Sequence, residues 1–369
     1  MMRQRYINLL FGLALAWLSS ATHASTPSGI GVAEPQAFRN AAARVEPSVV
    51  TIETVGGAMP PDIAGGGQSF RIADGPSTGL IHAADGLIIT SSFNFVRDPS
   101  VITVTLADGR RFVADLIARD EIRKLAMLRI DATGLPVPVW AAPTERRVGM
   151  WSIALGRAFG GDRAAMSVGM ISAVGRFDGL AVQTDAKLSP VNYGGPLIDL
   201  AGRVIGLCVP IGPNLSEMAG AGLYDSGVGF VIGIEQIRRV QTRLARGESI
   251  VPGKFGAAIQ DAEPGGVRIK AVAEPSPAHQ AGMLAGDRIV EIDGQPIARV
   301  DTLMRLMSLR AAGEAVTITL MRDEQRMTFR VTLHSISAIG PFPAPPSDEP
   351  AASRPSTAPA SQPASQPAA

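Results

Sequence analysis

Cysteine is nearly absent from this chain: one residue, Cys208, in 369. An intramolecular disulfide is therefore excluded, and so is a thiolate-rich metal centre. Histidine is almost as scarce, at four residues, and none forms a pair at metal-ligand spacing. No metal and no cofactor are expected. Aromatic residues make up 5% of the chain, charged residues 18%, and the net charge is +1. That balance gives no broad electrostatic case for binding nucleic acid or an anionic bilayer. The apolar run from Ile7 to Leu18 is shorter than the roughly 20 residues that a membrane-spanning helix needs.

What that run does fit is a leader. Arg3 and Arg5 precede it, and small residues follow it up to Thr22-His23-Ala24, the three-part pattern of a secretory signal peptide cut near Ala24. Residues 1–24 are read as that leader, and the protein as exported to the periplasm or cell envelope, where membrane contact would be limited to the envelope surface. No cysteine follows the cleavage site to carry a lipid. Cys208, inside "VIGLCVPI", reads as a buried strand thiol.

Glycine (40) and proline (28) are abundant, which suits short strands joined by many turns. After a loose start, "VEPSVVTIETV" opens the first strand, and the Gly/Pro/Ala-rich stretch 56–77 reads as a surface loop. Two hairpins follow, turning at Asp85-Gly86 and Asp108-Gly109, where glycine accepts the positive φ of a tight turn. Seven further short apolar runs follow, the last of them "VGFVIG", with the spacing of an antiparallel barrel or sandwich rather than βαβ units. Ile234, Ile237, Val240 and Leu244 then recur at helical steps, with Gly247 as the stop. Pro252-Gly253 marks a boundary. Beyond it lie strands "FGAAIQ" and "VRIKAVA", a turn segment from Glu274 to Ile297, a helix near 299–313 and a closing ladder. Past Ser335 the composition collapses to Pro, Ala, Ser and Gln, a mixture with too little apolar surface to fold.

In order and spacing, "GLIHAADGLIIT", "ITVTLADGRRFVADLIARD", "LAMLRI", "QTDAKLSPVNYGGPLIDLAGRVIGL", "GVGFVIGIEQI" and "PSPAHQAGMLAGDRIVEIDGQPI" resemble the HtrA family, exported trypsin-like serine proteases with a PDZ domain. The resemblance runs from about residue 45 to 335 and implies a mostly β fold. It implies a trypsin-like double β-barrel at 32–248, an α+β PDZ domain at 253–338 and a disordered Pro/Ala/Ser tail at 339–369.

Family catalysis uses a serine activated by histidine, an aspartate that orients the histidine, and backbone donors for the oxyanion. Mapped residue by residue, the resemblance places Tyr193 at the serine, with Asn192, Gly194, Gly195, Pro196 and Leu197 kept around it. Val191 replaces the oxyanion-loop glycine, Phe93 or Asn94 the histidine, and Lys124 the aspartate. Lys187 maps to the floor of the primary side-chain pocket. Ser189 would need a base that the sequence does not show, and His82, His279 and His334 read as surface or packing residues. The expectation is therefore a non-enzyme, an exported pseudoprotease that binds peptide C-termini or unfolded protein in envelope quality control or regulation. An active serine-type endopeptidase with an unrecognised site is the alternative, and a chaperone-like scaffold is another.

The PDZ resemblance implies capture of an extended peptide C-terminus as an added strand. Phe255, Gly256 and Ala257 would form the carboxylate-binding turn, Ala258 and Ile259 the start of the strand, and Met304 with Met307 or Ser308 the helical wall. Leu303, Leu306 and Ile289 read as core. Homo-oligomers and assembly with active HtrA-type proteases both remain open.

Overall fold

The computed structural model describes residues 30–56, 76–95, 98–157, 163–212 and 226–343; the side chains of residues 30–34 and Asn94 are not among what is described. The leader at 1–24, the surface loop from 57 to 75 and the tail from 344 onward lie outside the described residues. The chain divides into two compact units, Met1–Val251 and Pro252–Ala369.

The loose start expected before the first strand is instead a helix, α1 (Ile30–Val45). Its polar residues bond along or away from the axis, as in Gln36 to Asn40 at 2.8 Å, while Ala41 and Val45 are buried. The ring of Phe38 meets Trp151 edge-on at 5.4 Å. Docking of one apolar stripe, rather than intrinsic propensity, holds such a helix.

Strands β1 (Val49–Val55), β2 (Ser77–Ile81), β3 (Leu87–Ser91), β4 (Val101–Thr105), β5 (Arg111–Asp120) and β6 (Leu125–Ile130) close into an antiparallel barrel in the order β1-β2-β3-β6-β5-β4. Both expected Asp-Gly turns are present, with positive φ at Gly86 and Gly109. Val50, Ile52, Ile81, Ile88, Val104 and Leu128 fill the interior. A second closed barrel follows, from β7 (Trp151–Gly156), β8 (Ala165–Gly175), β9 (Ala181–Thr184), β10 (Pro196–Ile198), β11 (Val204–Val209) and β12 (Gly229–Gly233), in the order β10-β11-β12-β9-β8-β7. The helix after it, α2 (Ile234–Ala245), buries the four apolar residues that its periodicity singled out.

The second unit is an open sheet. Strands β13 (Ala257–Asp261), β14 (Val267–Val272), β15 (Arg288–Ile292), β17 (Ala315–Arg322) and β18 (Gln325–Thr332) lie in the order β13-β14-β15-β17-β18, with β16 (Gln295–Pro296) on β15. Helices α3 (Pro277–Gln280) and α4 (Val300–Ser308) complete it. The segment read as one long turn thus contains a short helix and a central strand. Turn residues at Gly286-Asp287 and Asp293-Gly294 bracket β15 so closely that they mask it in the sequence. The fold also continues past the expected boundary at 338: a 3-10 turn at Ile336–Ala338 is followed by Gly340 and Pro341, which hydrogen-bond to Pro275 and Glu274.

One buried carboxylate sets the turn that leads into β6. Asp120 is 0% exposed, and its Oδ1 accepts from the N–H groups of Ile122 and Arg123 at 2.9 and 3.0 Å. Its Oδ2 accepts from Arg123 Nη1 at 2.9 Å. Asp120→Ala leaves three donors without an acceptor and should cost about 3 kcal/mol, read as a lower urea midpoint of the first unit. A change below about 1 kcal/mol would show that water replaces the carboxylate there.

Candidate functional site

The loop from Ser189 to Leu197 enters the cleft between the two barrels and is tied to both. Its central residues form a tight turn, with Asn192 N–H donating to Ser189 O at 2.8 Å and Tyr193 N–H to Pro190 O at 3.3 Å. Gly194 N–H then donates to Cys208 O at 2.8 Å, anchoring the loop on β11. From the first barrel, Thr78 Oγ1 donates to Val191 O at 2.6 Å and Thr78 N–H to Tyr193 O at 3.4 Å. Thr90 Oγ1 donates to Thr78 O at 2.7 Å. This lattice explains Gly194. With φ +83°, a Cβ there would lie 2.1 Å from Thr90 Oγ1 and 2.2 Å from Thr78 O.

The structure brings positions 93 and 193 together beside Val191 of this loop, with Lys124 against the turn that carries Phe93. Tyr193 is 4% exposed, and its ring meets Phe93 edge-on at 5.1 Å, an arrangement worth about 1 kcal/mol beyond simple burial. Both rings belong to the second barrel's core cluster with Ala154, Leu197 and Cys208. Lys124 stands at positive φ, and its carbonyl accepts from Ser92 N–H at 2.9 Å, so it abuts the turn that carries Phe93. A phenyl, an ammonium and a phenol do not compose a base, an orienting carboxylate and a small hydroxyl nucleophile. The two N–H groups at Asn192 and Tyr193 are bonded within the loop.

Other candidates lie elsewhere. Ser189 Oγ donates to Asn192 Oδ1 at 3.1 Å, so its hydroxyl braces the loop. Lys187 is exposed, whereas the neighbouring Leu188 is buried against Gly229, where a Cβ would meet Leu188 Cδ1 at 2.6 Å. His82 follows β2. Burial pushes its imidazole below the ordinary value, opposed by a hydrogen bond with Gln241 of α2 and by the charge of Asp85. His279 and His334 belong to the second unit. No cluster of three or more His, Cys, Asp or Glu suited to a metal occurs among the described residues.

The second unit carries a groove. Among the described residues, strand β13 pairs only with β14, so its other edge is open. Beside that edge lies a cavity of about 360 Å³, within the range of small-ligand sites. Phe255, Gly256, Ala257, Ile259, Met304 and Met307 all line it. Ala258 does not, because alternate strand residues face opposite ways. Ser308 is absent too, its hydroxyl donating to Arg305 O at 2.7 Å. Leu303, read as core, is fully buried and also borders the cavity. The N–H groups of Phe255 and Gly256 have no acceptor among the described residues, while their carbonyls accept from Ala278 and Ala273. The turn therefore faces the cavity mouth with donors. Sequence reasoning missed the wall made by Ile336, Ile339 and Phe342. Their three-residue spacing was the available signal, obscured by the proline-rich tail that begins beside them.

A trypsin-like peptidase domain profile matches residues 77–207, and a PDZ domain profile matches 245–333. A probable periplasmic serine endoprotease, DegP-like, from Chlamydia muridarum is 33% identical over 279 residues, covering 71% of this chain and 54% of that protein. The putative serine protease HhoA of Synechocystis is 31% identical over 291 residues, 71% of each chain. The chain thus spans little more than half the length of the first of these relatives. Among solved structures, the serine endoprotease from Yersinia pestis superposes with a TM-score of 0.61 at 26% identity, over 80% of this chain and 97% of that one. The HtrA-type protease AlgW with a decapeptide gives 0.61 at 25% identity, over 84% and 99%. These findings overturn the expectation of a non-enzyme: relatives and structural neighbours alike are named proteases, and they point to an active one.

The buried thiol of Cys208, in the same core cluster as Phe93 and Tyr193, gives a direct check on this packing. Burial pushes Cys208 up to about 12, so the thiolate fraction at pH 8 is about one in 10⁴. Iodoacetamide at pH 8 should leave Cys208 unmodified in the native protein and alkylate it within minutes in urea. Fast native labelling would mean that β11 and the Tyr193 loop open readily.

Proposed function

Because the chain belongs to the HtrA family, we propose that it is an exported envelope quality-control protein that captures the C-termini of peptides or unfolded proteins in its PDZ groove. The observation that carries this reading is the groove itself. An open strand edge, a turn with two unused N–H donors and an apolar cavity adjoin one another. Each supplies one part of what a free peptide end needs: backbone pairing, carboxylate capture and burial of the terminal side chain. The pliable methionines on α4 favour broad selectivity, and affinity is expected near micromolar, about 8 kcal/mol. The relatives named as periplasmic support export, with the leader removed near Ala24.

Calorimetry on the full chain tests the capture, using peptides ending in Val, Leu or Phe, each as free acid and as amide. The acid should bind at least about tenfold more tightly, since the amide cannot supply the charge that the N–H pair receives. Equal binding of acid and amide would favour a chaperone-like hold on extended chains, and absence of binding at millimolar peptide would refute capture.

A second reading, peptide hydrolysis by the barrel unit, is favoured by the names of the relatives. Its nucleophile would be a group other than Tyr193, whose ring is buried against Phe93. Tyr193→Phe should therefore leave the turnover of unfolded casein unchanged. A serine-directed fluorophosphonate, mapped by mass spectrometry, should mark a hydroxyl residue outside position 193. Loss of turnover in Tyr193→Phe would place the phenol in the chemistry.

A further inference from the structure

The PDZ profile ends at residue 333, yet the chain stays bound to the second unit for several residues more. Lys254 and His334 exchange backbone hydrogen bonds at 2.8 and 3.0 Å. Gly340 N–H donates to Pro275 O at 2.8 Å, and Pro341 O accepts from Glu274 N–H at 3.3 Å. The segment between these ties crosses beside the carboxylate-binding turn, and Ile336, Ile339, Gly340 and Phe342 join the cavity lining. Ile339 lies close to Gly256, its Cγ2 3.3 Å from where a Cβ on that glycine would stand. Position 340 must be glycine for this route, because a Cβ there would sit 2.0 Å from Glu274 O. Pro341 and Pro343 restrict φ in the stretch that follows.

We propose that this post-domain segment, Ile336 to Phe342, is a specificity-determining lip of the peptide groove. It extends the pocket so that the groove selects chains ending in a bulky apolar residue. The inference rests on the capture reading given above. Exposure at the cavity mouth and the way the lip is tethered support it. Ile336 is 71% exposed and Phe342 49%, so large apolar side chains ring the mouth without being core. Met304, on the opposite wall, is 49% exposed. A terminal Phe or Leu held at the carboxylate turn reaches both walls, whereas a terminal Ala reaches neither and leaves the rim in water. Apolar area removed from water then differs between the two ligands while their backbone and carboxylate contacts stay the same. The lip is also held by backbone bonds on the β14–α3 side, so it leaves the β13 edge free for the incoming strand.

The experiment is calorimetry on the full chain with two peptides of identical sequence except for a terminal Phe or Ala. The variants are Phe342→Ala, Ile339→Ala and Gly340→Val. The unaltered chain should prefer Phe by about tenfold or more. Phe342→Ala and Ile339→Ala should each weaken the Phe peptide about three- to fivefold and leave the Ala peptide unchanged. Gly340→Val, which forces the lip off Glu274, should remove most of the preference. Phe342 is half exposed, so its variant keeps the test alive if Gly340→Val fails to fold. An equal loss for both peptides, an unchanged preference, or tighter binding of both would overturn the proposal, the last by making the segment an obstruction. Failure of the unaltered chain to bind either peptide would instead sink the capture reading, and this inference with it.

Discussion

Backbone hydrogen bonding that is satisfied in one unit and left open in the other underlies the behaviour of this chain. In each barrel every strand has partners on both sides, so neither offers an edge to a ligand. The sheet of the second unit is open and ends on β13. Next to that edge, the Phe255–Gly256 turn holds two N–H groups that have no acceptor among the described residues. A protein keeps such groups at the surface only where water, or a ligand, completes them. The groove follows from this geometry, and apolar side chains line the cavity beside it.

The cleft between the barrels obeys the opposite rule. Its loop donors at Asn192 and Tyr193 are bonded internally, Thr78 and Thr90 fasten it to the first barrel, and Phe93 and Tyr193 fill the space between. A packed aromatic pair stabilises the junction and holds the loop in one arrangement. Family membership nevertheless points to proteolysis, so chemistry and scaffold place different demands on these positions.

Much of this architecture was legible in the sequence. Alternating apolar strands, Asp-Gly turns and the helical spacing of Ile234 to Leu244 are local signals, and the barrels and α2 follow them. The contact of Phe93 with Tyr193 joins residues a hundred positions apart and forms only once the barrels close. Three features were not legible. Helix α1 draws its stability from contacts such as Phe38 with Trp151, which are more than a hundred positions apart. Strand β15 is five residues long and enclosed by turn residues. The lip at Ile336 to Phe342 adjoins a proline-rich tail, and its apolar residues gain meaning only from the cavity that they border. The reading of the chain as a non-enzyme failed for a different reason. It took the residues at three positions as decisive for the whole molecule, whereas the relatives that the chain matches are named proteases.

The central claim is that a peptide's carboxyl terminus docks on the Phe255–Gly256 turn and extends along β13. Hydrogen–deuterium exchange, with and without a saturating peptide that ends in a free carboxylate, tests it most directly. The account predicts slowed exchange at the amides of residues 255–260, with barrel amides unchanged. Protection confined to the barrels, or none at the turn when binding is saturated, would contradict it.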